Sequence, residues 1–204
     1  IGIEALGTSS AAIDVEILTL LTWLLQEVEV TEVQLELNSL GDSVCRPHYR
    51  KALTSFLKDN LHKLCEDCQR RFETNPLRIL DCKKEGCRAV TASAPSPLDY
   101  LCQDCLAHFE QVKTGLEQLK IPYTINHRLV RGLDYYTRTA FEVTAAKLGA
   151  QNSIAGGGRY DGLAEELGGP PTPGIGFAMG VERIASLMKP VETPKPDLFF
   201  ALLG

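Results

Sequence analysis

The sequence predicts an α+β fold: an antiparallel sheet with flanking helices, interrupted by a mostly helical insertion module. Three observations carry this expectation. A helical pattern followed by an alternating strand opens the 204-residue chain, and a cysteine-rich stretch with helical spacing on both sides comes next. The last third returns to strand-like segments at 122–126, 139–145 and 174–179. Strands grouped apart from helices point to α+β rather than to a parallel α/β sheet.

Taken in order, Ser9 or Ser10 can cap a first helix running to about Glu29, with Ile13, Ile17, Leu20, Leu21, Leu24 and Val28 as its buried stripe. Val33, Leu35 and Leu37 alternate as a strand, ended by the turn residues SLGDS. Pro47 suits the first position of a second helix reaching about Lys63, where its missing N–H costs nothing. From Cys105 to Leu119 a third helix sets Leu106, Phe109, Val112, Leu116 and Leu119 on one side. Thr139, Phe141 and Val143 then alternate with Ala140 and Glu142, the period of a half-buried strand. The glycines of AGGGRYDGL, 155–163, read as a turn or as backbone that a ligand approaches closely. GIGFAMG reads as a buried strand, and VERIASLM opens a helix with Ile184, Leu187 and Met188 at core spacing. DLFFALLG at the end reads as a first strand of a further unit. These boundaries divide the chain into a first part of the core, 1–44, an insertion module, 45–119, a second part of the core, 120–188, and a linker segment, 189–204.

Composition excludes several classes. With 44% hydrophobic and 23% charged residues this is ordinary globular protein. No apolar run approaches the roughly 20 residues that span a bilayer, and residues 1–30 lack a signal peptide's basic start and cleavage pattern, so a cytoplasmic protein without membrane contact is expected. The chain starts at Ile1 rather than methionine and stops after an apolar run, so both ends read as cut. The four histidines, His48, His62, His108 and His127, form no metal or catalytic spacing, and no Gly-x-Ser-x-Gly or phosphate-loop pattern occurs. A hydrolase or P-loop enzyme is a poor fit. Charge is uneven: residues 46–88 hold eleven Lys or Arg against six Asp or Glu, a net of +5 in a chain whose total is −5. A basic module on an acidic core suits a phosphate-backbone partner, although solvated faces show the same charge.

Six of the seven cysteines fall within residues 64–106, as Cys65-x2-Cys68, Cys82-x4-Cys87 and Cys102-x2-Cys105. Close pairs separated by roughly 12–20 residues have the spacing of a structural zinc site. The expected ligands are Cys82, Cys87, Cys102 and Cys105, with Cys65 and Cys68 as the substitute pair; the alternative is that reduced cysteines pack as small hydrophobes.

The most informative segment is LVRGLDYYTRTAFEV, residues 129–143. Gly132 lets the backbone turn so that Arg131, Tyr135 and Tyr136 can converge on one pocket. Arginine brings a fixed charge and a planar fork of donors for phosphate or carboxylate, and the tyrosines bring flat walls with polar tips. Arg183, at the start of the last helix, opposes the helix dipole there, a small cost that suggests a ligand.

Together, LVRGLDYY, AGGGRYDGL and GIGFAMGVERI resemble two signatures of the histidyl-tRNA synthetase family and the third motif of class II aminoacyl-tRNA synthetases. The opening IGIEALGTSSAAIDVEIL resembles the segment after the second class II motif, and TNPLRILDCK also looks familial, so the likeness runs through nearly the whole chain. The resemblance implies part of the class II antiparallel sheet, with the first two motifs and most of the anticodon-binding domain outside the chain and its start at 189–204. It implies ATP-dependent attachment of L-histidine to tRNA(His) through a histidyl-adenylate, with magnesium accompanying ATP and a homodimer at full length. Arg131 would be catalytic at the α-phosphate, and would share the histidine pocket with Glu4, Tyr135, Tyr136 and Tyr160 over the floor of Gly156 and Gly157. Arg131 and Arg183 would bind ATP, and the insertion would lean on the acceptor arm of the tRNA. The second motif's arginine has no equivalent here, so the chain by itself is expected to be inactive. Synthetase-like regulatory subunits of ATP phosphoribosyltransferase are the alternative; they erode ATP-handling residues and reduce the insertion, whereas Arg131, Arg183 and a long basic insertion all remain here.

Overall fold

The computed structural model describes residues 1–132, 135–190, 198, 200 and 201. Among these, six strands form one sheet: β1 (Gly2–Leu6), β2 (Gln34–Ser39), β3 (Thr124–Ile125), β4 (Thr137–Thr144), β5 (Ser153–Arg159) and β6 (Gly174–Met179). Their order is β1-β6-β5-β4-β2-β3. Every neighbouring pair is antiparallel except β2 and β3, which run parallel. The architecture is α+β as expected, with that one short parallel edge making the sheet mixed. The strand expected at 122–126 is only two residues long. β1 and β5 were not expected as strands, and the three glycines that read as a turn lie inside β5.

Register divides the sheet into two unlike faces. On one face Ile175 and Phe177 of β6, Phe141 and Val143 of β4, and Leu35 and Leu37 of β2 are buried beneath helices α1 (Ala11–Glu27) and α5 (Gln103–Gln118). Both faces of β4 are covered at its centre, since Ala140 is as buried as Phe141. The other face carries Glu4, Gly176, Gly158 and Ala140 in one cross-strand row, with Gly156 and Glu142 paired beside it.

The α1 helix starts where Ser10 accepts a hydrogen bond from the Ala12 amide, 3.3 Å. Its buried residues are Ala11, Asp14, Ile17, Leu18, Leu21 and Leu25, so the stripe is rotated from the expected one and contains an acid. The reason is Asp14, fully buried against Arg159 of β5 and His108 of α5. On α5 the buried residues are Cys105, His108, Phe109, Val112 and Leu116, while Leu106 and Leu119 of the expected face point to solvent.

The insertion has its own apolar cluster. Tyr49, Leu53 and Leu57 of α2 (Arg46–Asn60) pack with Leu64, Ile79, Leu80, Cys68 of α3 (Glu66–Thr74) and Cys87 of α4 (Glu85–Thr91). Phe109, Val112 and Leu116 of α5 belong to the main core instead, so packing does not follow the expected boundary at 119. Two short helices, α6 (Leu163–Glu166) and α7 (Val181–Leu187), flank β6. The terminal segment DLFFALLG and the linker before it lie almost wholly outside the described residues. Among the described residues no helix is long and apolar enough to cross a membrane.

Candidate active site

Three positions on the open face of the sheet, Gly156, Gly158 and Gly176, carry no side chain, and groups from neighbouring elements lie directly over their backbone. An added Cβ on Gly176 would come within 1.8 Å of Glu4 Oε2, and one on Gly156 within 2.6 Å of Arg131 Nη1. The glycines therefore form a floor on which Glu4 and Arg131 lie flat. Gly157, expected in that floor, pairs with Phe141 and Phe177 and is buried. Strand alternation turns it toward the helices, and Gly158, buried beneath the Tyr136 ring, takes its place on the other face.

Around this floor the expected residues converge. The Arg131 guanidinium lies over the Tyr136 ring, 5.5 Å from its centroid. Tyr135 and Tyr136 are 4.7 Å apart at an interplanar angle of 33°, and Tyr160 meets both edge-on at 6.1 and 6.5 Å. The Tyr160 hydroxyl donates a short hydrogen bond to Glu4. Burial, followed by that bond to Glu4, pushes the Tyr160 phenol well above its ordinary pKa. Burial and then the Tyr136 hydroxyl raise Tyr135 as well. Both rings thus keep their protons, that of Tyr160 being held by Glu4.

Arg131 is unevenly satisfied. Its Nη1 lies 3.6 Å from Glu142 Oε1, beyond ordinary hydrogen-bond length, and its buried Nε has no partner. A partly buried cation with spare donors above an open floor is built to meet an anion. Glu142 was missed in sequence, although its alternation with Phe141 and Val143 already put it on the open face. Ser153 Oγ donates to it at 2.7 Å, and the Ser153 carbonyl accepts from Arg183. Arg183, expected at the ATP site, is exposed and reaches the same corner as Arg131 through this Ser153–Glu142 link.

Two further groups stand close by. Arg46, at the start of α2, donates to the Tyr136 carbonyl and ties the insertion to the tyrosine pair. A polar cleft between the insertion and the sheet is lined by Lys83, Arg88, Arg128, Asn152 and Glu142. Glu36 and Asp81 line it as well, and Asp81 pairs with Lys83 at 2.7 Å.

The structure separates the expected cysteine quartet. Cys82 and Cys87 group with Cys65 and Cys68, all four donor atoms within 4.8 Å of one another, whereas Cys102 and Cys105 group with Asp42 and Cys45. The cause is that Cys102 and Cys105 start α5, which packs on the main core rather than on the insertion. All seven cysteines are free thiols. The Cys65 thiol is drawn down to about 7, chiefly by the backbone N–H of Cys68.

A largely antiparallel sheet with one face reduced to glycine beneath an arginine, three tyrosines and an acid is the class II aminoacyl-tRNA synthetase fold that the motifs implied. The model of the histidyl-tRNA synthetase family matches residues 1–184. This chain belongs to that family. Histidine–tRNA ligase of Syntrophotalea carbinolica is 55% identical over 207 residues, covering 100% of this chain and 49% of that protein. Its counterpart in Geobacter metallireducens is 54% identical over 205 residues, covering 100% and 50%. Apo histidyl-tRNA synthetase of S. aureus superposes with a TM-score of 0.72 at 40% identity, over 91% of this chain and 45% of that one. An ATP phosphoribosyltransferase regulatory subunit/histidyl-tRNA synthetase from Bacillus halodurans reaches a TM-score of 0.61 at 18% identity, over 93% and 53%, a likeness of fold alone. The chain spans about half the length of the curated relatives it matches.

Proposed function

We propose that the full-length protein attaches L-histidine to tRNA(His), using ATP. The observation that carries this is Arg131, lying on Gly156 against Tyr136 with its Nε unpartnered, opposite the Glu4–Tyr160 pair. Glu4 pairs with the cationic α-ammonium of histidine, and Tyr135, Tyr136 and Tyr160 wall its imidazole. One carboxylate oxygen of histidine attacks the α-phosphorus of ATP as the bond to pyrophosphate breaks. No general base is needed, because that carboxylate is already ionised at neutral pH. Arg131 stabilises charge growing on the α-phosphate, an electrostatic role that costs little reorganisation when the donor is already placed. Arg183 stacks its flat cation near adenine and the terminal phosphate. ATP enters with Mg2+. A hydroxyl of the terminal tRNA ribose then attacks the histidyl carbonyl and AMP leaves, with the basic residues of the insertion near the acceptor arm. The protein works in the cytoplasm, where its free thiols stay reduced, and acts as a homodimer.

The insertion holds one structural zinc through Cys65, Cys68, Cys82 and Cys87. Four sulfur donors with no exogenous position suit structure rather than chemistry. The ion compensates for a small apolar cluster, and its binding is part of the module's folding free energy, on the order of 10 kcal/mol for zinc peptides.

The test is exchange of pyrophosphate into ATP by the full-length protein. Histidine should drive it, and other amino acids should not. Equal stimulation by a second amino acid would refute the substrate, and histidine binding without any ATP binding in calorimetry would indicate a regulatory subunit.

A further inference from the structure

Cys102 and Cys105, set apart from the insertion's thiols, have companions of their own. We propose that Asp42, Cys45, Cys102 and Cys105 hold a second divalent ion of the zinc type, which pins the start of α2 to the start of α5.

Geometry comes first. The four donor atoms lie within 4.8 Å of one another, Cys45 and Cys105 being buried and Asp42 and Cys102 partly so. A tetrahedral ion with Zn–S bonds of about 2.3 Å has edges of about 3.8 Å, so closure needs only small side-chain shifts. Both halves share one spacing, Asp42-x2-Cys45 and Cys102-x2-Cys105. Three cysteines with a carboxylate make a mixed sulfur and oxygen set that zinc accepts.

The helix starts point the same way. Cys45 caps α2 and Cys102 caps α5, and neither side chain makes a capping hydrogen bond. Serine, threonine or aspartate would serve a cap better, by about 1 kcal/mol. The insertion's cluster repeats the device, since Cys65 caps α3 without a side-chain bond. In both clusters a backbone amide donates to a sulfur at 3.2 Å, Asp42 N–H to Cys45 and Cys65 N–H to Cys87. Gly41 has φ +66°, and a Cβ there would lie 2.5 Å from Cys45 Sγ, so the loop passes the sulfur only as glycine.

Asp42 serves twice. Its Oδ1 accepts from the Val44 and Cys45 amides at 3.0 and 3.3 Å, while Oδ2 lies 3.8 Å from Cys102 Sγ and 4.0 Å from Arg138. The next residue after Cys45 is Arg46, which holds the Tyr136 carbonyl. An ion here thus fixes the backbone of the tyrosine pair, a consequence that rests on the proposed histidine pocket; the ion itself does not.

The decisive experiment is metal analysis of the 204-residue chain purified with zinc and without chelator. Two equivalents of zinc are expected, with X-ray absorption averaging about 3.5 sulfur and 0.5 oxygen neighbours per ion. One equivalent surrounded by sulfur alone, or three oxidised or freely titrating thiols at Cys45, Cys102 and Cys105, would overturn the proposal. Asp42→Asn keeps an acceptor for the Val44 and Cys45 amides and should stay folded. It should weaken one of the two zinc ions by about 10-fold or more against a chelator, as losses around metal ligands do. Unchanged affinity for both ions would remove Asp42 from the site. Cys68→Ser should abolish only the insertion's ion and leave the second in place. Metal content is read without histidine or ATP, so it stands or falls apart from the proposed activity.

Discussion

Arg159 and Arg131 lie on opposite sides of one sheet, and they are furnished in opposite ways. Arg159 is fully buried, and every nitrogen of its guanidinium is bonded: Nε to Asp14 at 3.1 Å, Nη1 to the Thr8 carbonyl and Asp161 at 3.0 and 2.9 Å, Nη2 to the Ser10 carbonyl at 3.2 Å and to Asp14. His108 closes the network, its Nε2 2.8 Å from Asp14. Arg131 keeps a loose contact with Glu142 and a buried Nε with no partner. A guanidinium whose donors are all used joins elements of the fold; one with donors to spare waits for an anion. The first joins the start of α1 to the end of β5, with α5 attached through His108, and the second faces the glycine floor.

The largest effect should come from breaking the buried network. Asp14→Ala leaves the buried Arg159 charge with Asp161 as its one carboxylate partner, strips Nε of its acceptor, and should cost about 3 kcal/mol in chemical denaturation. A loss under about 1 kcal/mol would mean that water reaches Arg159. The same network has a pH signature. Burial alone would raise the Asp14 carboxyl, but hydrogen bonds from His108 and Arg159 outweigh it and hold the group below its usual value. A depressed carboxylate stabilises the fold above its unfolded pKa of about 3.9 and loses that contribution as pH falls through the folded value, about 1.4 kcal/mol per unit of depression. Denaturation curves should therefore weaken below about pH 4 in the native chain, and Asp14→Ala should flatten that slope.

Gly176→Ala tests the other face. Its Cβ would overlap Glu4 Oε2 and lie 2.4 Å from the Ile3 carbonyl oxygen, so β1 must shift as well as Glu4. Overpacking of this kind costs about 1–3 kcal/mol, and histidine affinity of the full-length protein should fall with it, as calorimetry would show. Unchanged affinity would detach Glu4 from the pocket. Smallest should be Glu142→Gln. A partly exposed pair contributes less than about 1 kcal/mol, so its melting curve should nearly overlay that of the native protein.

Parts of this contrast were legible in the sequence and parts were not. Arg131, Tyr135, Tyr136, Tyr160 and Glu4 were named from their motifs, and they meet around one floor. Strands β2, β4 and β6 follow from alternation or apolar runs. β5 did not, because a strand whose side chains are mostly hydrogen has no pattern to read. The phase of α1 was misread for a related reason: Asp14 looks like a surface acid until Arg159, 145 residues away, is folded against it. Cysteine spacing picked out the thiols that cluster but not their partition, which depends on α5 packing with the core rather than with the insertion. Glu142 went unnoticed because a charged residue in an alternating strand reads as solvent-facing, and nothing local says that Arg131 and Ser153 face it instead.

The measurement that bears most directly on this contrast pairs two variants with two readouts. In the full-length protein, Arg131→Ala should slow histidine-dependent pyrophosphate exchange by on the order of 100-fold, the scale of one electrostatic donor to a transition state, while unfolding shifts by less than about 1 kcal/mol. Asp14→Ala should do the reverse, lowering stability by several kcal/mol while the protein that remains folded at low temperature keeps most of its exchange rate. Arg131→Ala that unfolds the protein, or that leaves exchange intact, would contradict the account.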